Sequence, residues 1–286
     1  FQRAIIESGV GFGPARHMAE IEKLGEHLCE SLGVDKSADP IAALRAVSPD
    51  DLLKKSGGPL GGGFGPAVDG WFLPDDPAAI FAAGKEHNVP LIIGSNHNEG
   101  TILLRAIPMR NTQDYENYVK RTFGPDADAV LKLYPASDEK DTMSIADRVF
   151  SDRIAAGSEM FAESNARLNA KSYLYHFIKS SNAPRFKSLG AYHAAEIPYV
   201  FGANSEGYNF DETDKMLART MSTYWVHFAA TGDPNGTGLA EWPRVMHGSA
   251  RCMEFGTEVK AGSQVLSQES YEVLSRPGGS ARTGRQ

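Results

Sequence analysis

Cysteine is scarce in this 286-residue chain, where only Cys29 and Cys252 occur. A disulfide-stapled scaffold is excluded, and one bridge between the two is the most the sequence allows. Long apolar runs are missing as well. The longest, such as Val89–Gly94, are strand-sized and far short of the roughly 20 residues that cross a bilayer, so no transmembrane segment is expected. Positive charge is in deficit: 29 Lys and Arg stand against 36 Asp and Glu, a net charge of −7. With no basic stripe to neutralise phosphates, nucleic acid is not expected as a partner. Metal signatures are lacking too. The eight histidines are scattered and no H-E-x-x-H occurs, so no metal is expected. The glycine-rich loop Ser56–Gly65 has no G-K-[ST] and is not a P-loop. No repeat is visible, and no low-complexity tract precedes residues 277–286, whose Gly, Ser and Arg read as a mobile tail. Nor does the chain begin with Met. Phe1–Gly9 reads as the interior of a fold, which leaves the question of a leader peptide open.

What is present is an ordinary globular mixture, 41% hydrophobic and 23% charged, which excludes disorder as the ground state. Arg3–Ser8 reads as a buried strand. Met18, Ile21, Leu24, Leu28 and Leu32 recur at helical spacing within Pro14–Gly33. Asp39-Pro40, Ser48-Pro49 and Asp76-Pro77 each set a capping residue before a proline and open three short helices. Asp69-Gly70 is a turn signal. Val89–Gly94 fits a strand buried on both faces, and Ser172–Ile178, rich in Tyr and Phe, reads as another strand. Between them lies a helical stretch from Thr112 to about Leu168, broken at Gly124-Pro125 and at Pro135. Asp211–Thr231 is a long helix with Leu217, Met221, Tyr224, Trp225 and Phe228 on its apolar side, most simply core. Strands separated by helices give an α/β class with a mainly parallel sheet, and nothing marks an interdomain linker.

Two segments carry candidate chemistry. Gly94-Ser95-Asn96-His97-Asn98-Glu99-Gly100 follows directly on one buried strand, and Tyr192-His193 lies in the segment after the next. Taken alone, Glu99 is a solvated loop glutamate and His193 a loop histidine bonded to backbone. Taken together, strand–acid then strand–histidine is the order of the last two members of a Ser, acid, His triad, at the sheet end where α/β folds build their sites. Other matches fail. Ser137–Lys140 fits S-x-x-K without its partner motifs, His97–Glu99 fits H-x-E without P-C-x-x-C, and Asn235-Gly236-Thr237 is a lone sequon.

Several ordered motifs resemble the type-B carboxylesterases, the cholinesterase-like branch of the α/β-hydrolases. They are Phe1–Gly9, Gly65–Gly70, Pro90–Asn96 with Asn98-Glu99-Gly100, Tyr192-His193 with Glu196–Gly202, and Tyr224-Trp225 with Thr231–Asn235 and Trp242-Pro243. The resemblance implies the C-terminal portion of an α/β-hydrolase domain over residues 1–276, carrying the last three strands of the sheet. It implies Glu99 as triad acid, His193 as triad base, and Ser8 as a neighbour of the triad. It further implies a small carboxylic ester as substrate, hydrolysed through an acyl-enzyme without a cofactor. Leu60 and Gly62 align with positions that wall the acyl side of the cleft, and their small size implies room for bulky acyl groups.

The departures are informative. The nucleophile motif G-x-S-x-G occurs nowhere in the chain. In the family that motif and the oxyanion donors lie upstream of the segment matching Phe1. The N-terminal half of the same enzyme is therefore the expected partner, paired along the strand at Arg3–Ser8, and this chain alone is expected to be inactive. A non-catalytic adhesion or interaction domain of the same fold is the alternative. The loop from Val34 to Ala43 has no cysteine where many members carry a disulfide, which tilts an otherwise open localisation towards the cytoplasm.

Overall fold

A computed structural model describes residues 1–9, 15–57, 64–168, 170–202 and 207–276. Leu60, Gly62 and the tail 277–286 lie outside the described residues. In chain order the elements are β1 (Ala4–Glu7), β2 (Arg16–His17), α1 (Met18–Leu32), α2 (Pro40–Ala46), α3 (Pro49–Lys55), β3 (Ala67–Val68) and α4 (Pro77–Ala82). Then come β4 (Leu91–Asn96), α5 (Gly100–Leu103), α6 (Thr112–Phe123), α7 (Ala127–Leu133), α8 (Thr142–Arg167) and β5 (Ser172–Phe177). The chain continues with α9 (Ile197–Val200), α10 (Glu212–Thr231), β6 (Cys252–Phe255), β7 (Val259–Ala261) and α11 (Gln268–Leu274). They form two compact units, one of residues 13–80 and one of residues 1–12 with 81–286.

In the smaller unit the capping signals act as their chemistry dictates. Asp39 accepts from the Ala42 N–H and Ser48 from the Asp51 N–H, each ahead of a proline that needs no donor partner. The Asp69-Gly70 turn is held by one carboxylate oxygen, which gathers the N–H groups of Trp71, Phe72 and Leu73 at 2.8–2.9 Å. β2 and β3 pair in parallel.

The larger unit is built on a sheet of order β1-β4-β5-β6-β7, parallel except for the last pair. This is the α/β architecture with flanking helices that the sequence implies, but with five strands where three were expected. β4 and β5 are buried at every position, as central parallel strands must be. Successive β4 residues serve opposite layers. Ile92 packs with Tyr173, Tyr175 and Phe177 against Met221, Tyr224, Trp225 and Phe228 of α10, while Leu91 and Ile93 pack against Phe161 and Ala162 of α8. A third apolar cluster joins α6, α7, α8 and α11. Trp242 is fully buried under α10, its indole N–H donating to the Leu174 carbonyl at 3.0 Å. Gly94 is obligatory. A Cβ there would lie 2.3 Å from the Tyr175 carbonyl oxygen and 2.4 Å from its ring.

Candidate active site

Because β1, β4 and β5 run parallel, the residues that follow them emerge at one end of the sheet. Ser8 follows β1, Glu99 follows β4, and His193 lies in the segment after β5. Glu99 is fully buried. Its Oε2 lies 2.6 Å from His193 Nδ1, although 94 residues separate the two. Its Oε1 accepts from the Ser8 hydroxyl at 2.5 Å and from the Asn96 N–H at 2.7 Å. With one oxygen held from behind, the other has one direction left to face. The His193 side chain is 36% exposed, so the ring leans on a buried acid and opens its other side to solvent.

Backbone conformation is spent on this arrangement. Ser8 (φ 55°) and Ala194 (φ 71°) are two of the three non-glycine residues in the left-handed region among the described residues. Such residues cost about 1–2 kcal/mol each and persist where surrounding contacts over-determine them. Ser8 is held by Glu99, and Ala194 is the turn that presents His193.

The two loops are stitched together by Asn98. Its N–H donates to the Ala191 carbonyl at 2.9 Å, its Oδ1 accepts from the Ala191 N–H at 3.1 Å, and its Nδ2 donates to Asp147 Oδ2 at 3.1 Å. Thr101 Oγ1 adds a bond to the Leu189 carbonyl at 2.9 Å. Gly190 makes the approach possible, since a Cβ there would sit 2.1 Å from Asn98 Oδ1 and the residue holds φ 66°.

Electrostatics follow from the geometry. The hydrogen bond with Glu99 holds the His193 imidazole above its ordinary value against the opposing effect of burial. Burial pushes the Glu196 carboxyl up to about 7, opposed by the hydrogen bond from Asn96. Burial also raises Glu7, opposed by the Trp225 indole N–H, which donates to it at 2.8 Å. Glu7, Asn96 and Glu196 are polar members of this site that sequence reasoning did not single out. The available signal was an acidic residue within the apolar run Ala194-Ala195-Glu196-Ile197-Pro198. Nearby, His176 Nε2 lies 3.3 Å from His97 Nδ1, and burial drives His176 down to about 4. Cys29 and Cys252 are free thiols, so neither forms the bridge the sequence allowed. Among the described residues no cluster of three His, Cys, Asp or Glu could hold a metal, and no helix is long and apolar enough to cross a membrane.

A parallel sheet that delivers a buried acid and a half-exposed histidine to one end is the architecture of the α/β-hydrolase fold. The carboxylesterase family matches residues 1–274, and the chain belongs to it. It is 31% identical over 281 residues to the fumonisin B1 esterase of Sphingopyxis macrogoltabida, covering 92% of this chain and 49% of that protein. It is 29% identical to neuroligin-3 of Homo sapiens, over 82% of this chain and 31% of that protein. Identity to the cholinesterase of Mus musculus is 27%, over 90% of this chain and 48% of that protein. The chain thus spans about half the length, or less, of these relatives.

Proposed function

We propose that this chain is the C-terminal part, over residues 1–276, of a single α/β-hydrolase domain whose whole protein hydrolyses carboxylic esters with a Ser–His–Glu triad. Glu99 is the acid and His193 the base. Glu99 fixes the ring with its proton on Nδ1. Nε2 then takes the proton of a serine hydroxyl as that oxygen attacks the ester carbonyl, and returns it to the leaving alcohol. Water repeats the cycle on the acyl-enzyme, and no cofactor takes part. Ser8 anchors the far oxygen of Glu99. The nucleophile and the oxyanion donors come from the N-terminal half, so the 286-residue chain alone turns over no ester.

The observation that carries this reading is the 2.6 Å contact between a fully buried Glu99 and the half-exposed His193. The similarity to the neuroligins favours a second reading, a non-catalytic interaction domain. An acid and a base held in register support the enzyme instead. The test is a chromogenic ester assay on the full-length protein with Glu99→Gln and His193→Ala. Each is expected to lower kcat by about 10³–10⁴-fold when assayed below its own melting temperature. Hydrolysis that survives both substitutions would sink the assignment.

A further inference from the structure

Glu196 stands three residues after His193 and takes no part in the proton transfers just described. It is 1% exposed, in the turn that leads into α9. Its Oε2 accepts a hydrogen bond from Asn96 Nδ2. Asn96 is itself fully buried, and its Nδ2 also donates to the Tyr192 carbonyl at 2.8 Å. The same residue donates its main-chain N–H to Glu99 Oε1 at 2.7 Å. Asn96 therefore joins two carboxylates, Glu196 through its side chain and Glu99 through its backbone.

Titratable groups that act electrostatically on Glu196, or feel it, are Glu7 from β1, Glu99 from the turn after β4, Tyr175 from β5, and Tyr192 and His193 from its own loop. None but His193 can offer a positive charge. Two buried carboxylates, Glu99 and Glu196, and the half-buried Glu7 thus share one region with a single imidazole. Full ionisation of all three would place like charges together in a medium that solvates them poorly, which proteins avoid by keeping protons on some of them. The Asn96 amide is a donor to Glu196, a contact that suits an acid's carbonyl oxygen as well as an anion.

We propose that Glu196 is a positioning residue which, as a neutral acid, clamps Asn96 and through the Asn96 backbone keeps Glu99 aimed at His193. This rests on Glu99 and His193 being the acid and base of the triad. Burial raises Glu196 to about 7, so the neutral form is well populated near neutrality. The clamp also keeps the negative charge where it is useful, on the carboxylate that touches the imidazole.

Glutamine keeps the shape and the acceptor oxygen of a neutral Glu196, whereas alanine removes the clamp. The experiment follows the His193 ring by NMR across pH in isotope-labelled full-length protein, with ester turnover measured in parallel. Glu196→Gln is expected to leave the His193 midpoint within about 0.3 unit of wild type and turnover nearly unchanged. Glu196→Ala is expected to drop the midpoint clearly towards ordinary histidine and turnover by about tenfold. Should Glu196→Ala not fold, Glu196→Leu carries the same test, since it fills the space but accepts no hydrogen bond from Asn96. A fall in the glutamine variant as large as in the alanine variant would mean that Glu196 works as an anion, and would overturn the proposal. No shift in either variant would overturn it too. If the wild type hydrolyses no ester while the midpoints follow the expected pattern, the clamp is supported and the esterase reading is the one that fails.

Discussion

Replacing Asp214 with Asn is expected to cost nearly as much stability as replacing it with Ala. Asp214 lies fully buried in the first turn of α10, and all four of its partners are donors. Oδ1 accepts from the Tyr199 hydroxyl at 2.8 Å and from Lys179 Nζ at 2.9 Å. Oδ2 accepts from Asn182 Nδ2 at 2.6 Å and from the Asp211 N–H at 3.1 Å. An asparagine must turn its NH₂ towards one of these pairs, setting donor against donor. It also strips the Lys179 ammonium, only 11% exposed, of its counter-charge. Breaking a buried ion pair of this kind costs about 3–5 kcal/mol. At about 3 °C per kcal/mol, the melting temperature should fall by about 10 °C in both variants. Burial by itself would raise the Asp214 carboxyl, but the bonds from Lys179, Tyr199 and the Asp211 N–H outweigh it and hold it below the ordinary value. A depressed folded-state value stabilises above the unfolded value and is lost as pH falls through the folded one. The gap between wild type and either variant should therefore be full at neutral pH and shrink below about pH 3.9. Thermal melts followed by tryptophan fluorescence across pH give the answer. An Asp214→Asn protein melting within about 2 °C of wild type at neutral pH would refute the reasoning.

Three further substitutions test other parts of the fold. Gly94→Ala forces a Cβ to 2.3 Å from the Tyr175 carbonyl, so urea unfolding should show a loss of about 3 kcal/mol or more. Ala194→Gly relieves φ 71° next to His193 and should leave stability equal or up to about 1 kcal/mol higher, read in the same assay. His176 is buried with its value lowered to about 4, so the folded state resists the proton that the unfolded chain accepts near 6.5. Stability should fall as pH drops from 6.5 through 4, and His176→Phe should flatten that slope.

Much of the fold is legible in local chemistry. Asp39, Ser48 and Asp211 cap helices because a short polar side chain before a helix satisfies orphan N–H groups wherever it occurs. β4 and β5 announce themselves through unbroken apolar or aromatic runs. β6 and β7 do not. Cys252–Phe255 is short, lacks β-branched residues and becomes a strand because β5 offers it an edge. The same division holds at the site. Glu99 and His193 stand out because strand, acid, strand and histidine come in a chemically meaningful order. Asn96, Glu196 and Glu7 carry no such order. Their burial together is a product of the parallel sheet, and no spacing rule links positions 96 and 196, or 7 and 225. Asn98 is the same case, a turn residue by sequence and a brace between two loops in space.

That brace fixes where this domain can change length. Since Asn98 bonds both the N–H and the carbonyl of Ala191, and Gly190 lies too close to Asn98 to carry a side chain, an inserted residue in 96–99 or 189–193 would shift one loop out of step with the other. Both segments are in effect dimensionally locked. Any change of loop length around this site would have to be drawn from segments outside this lock.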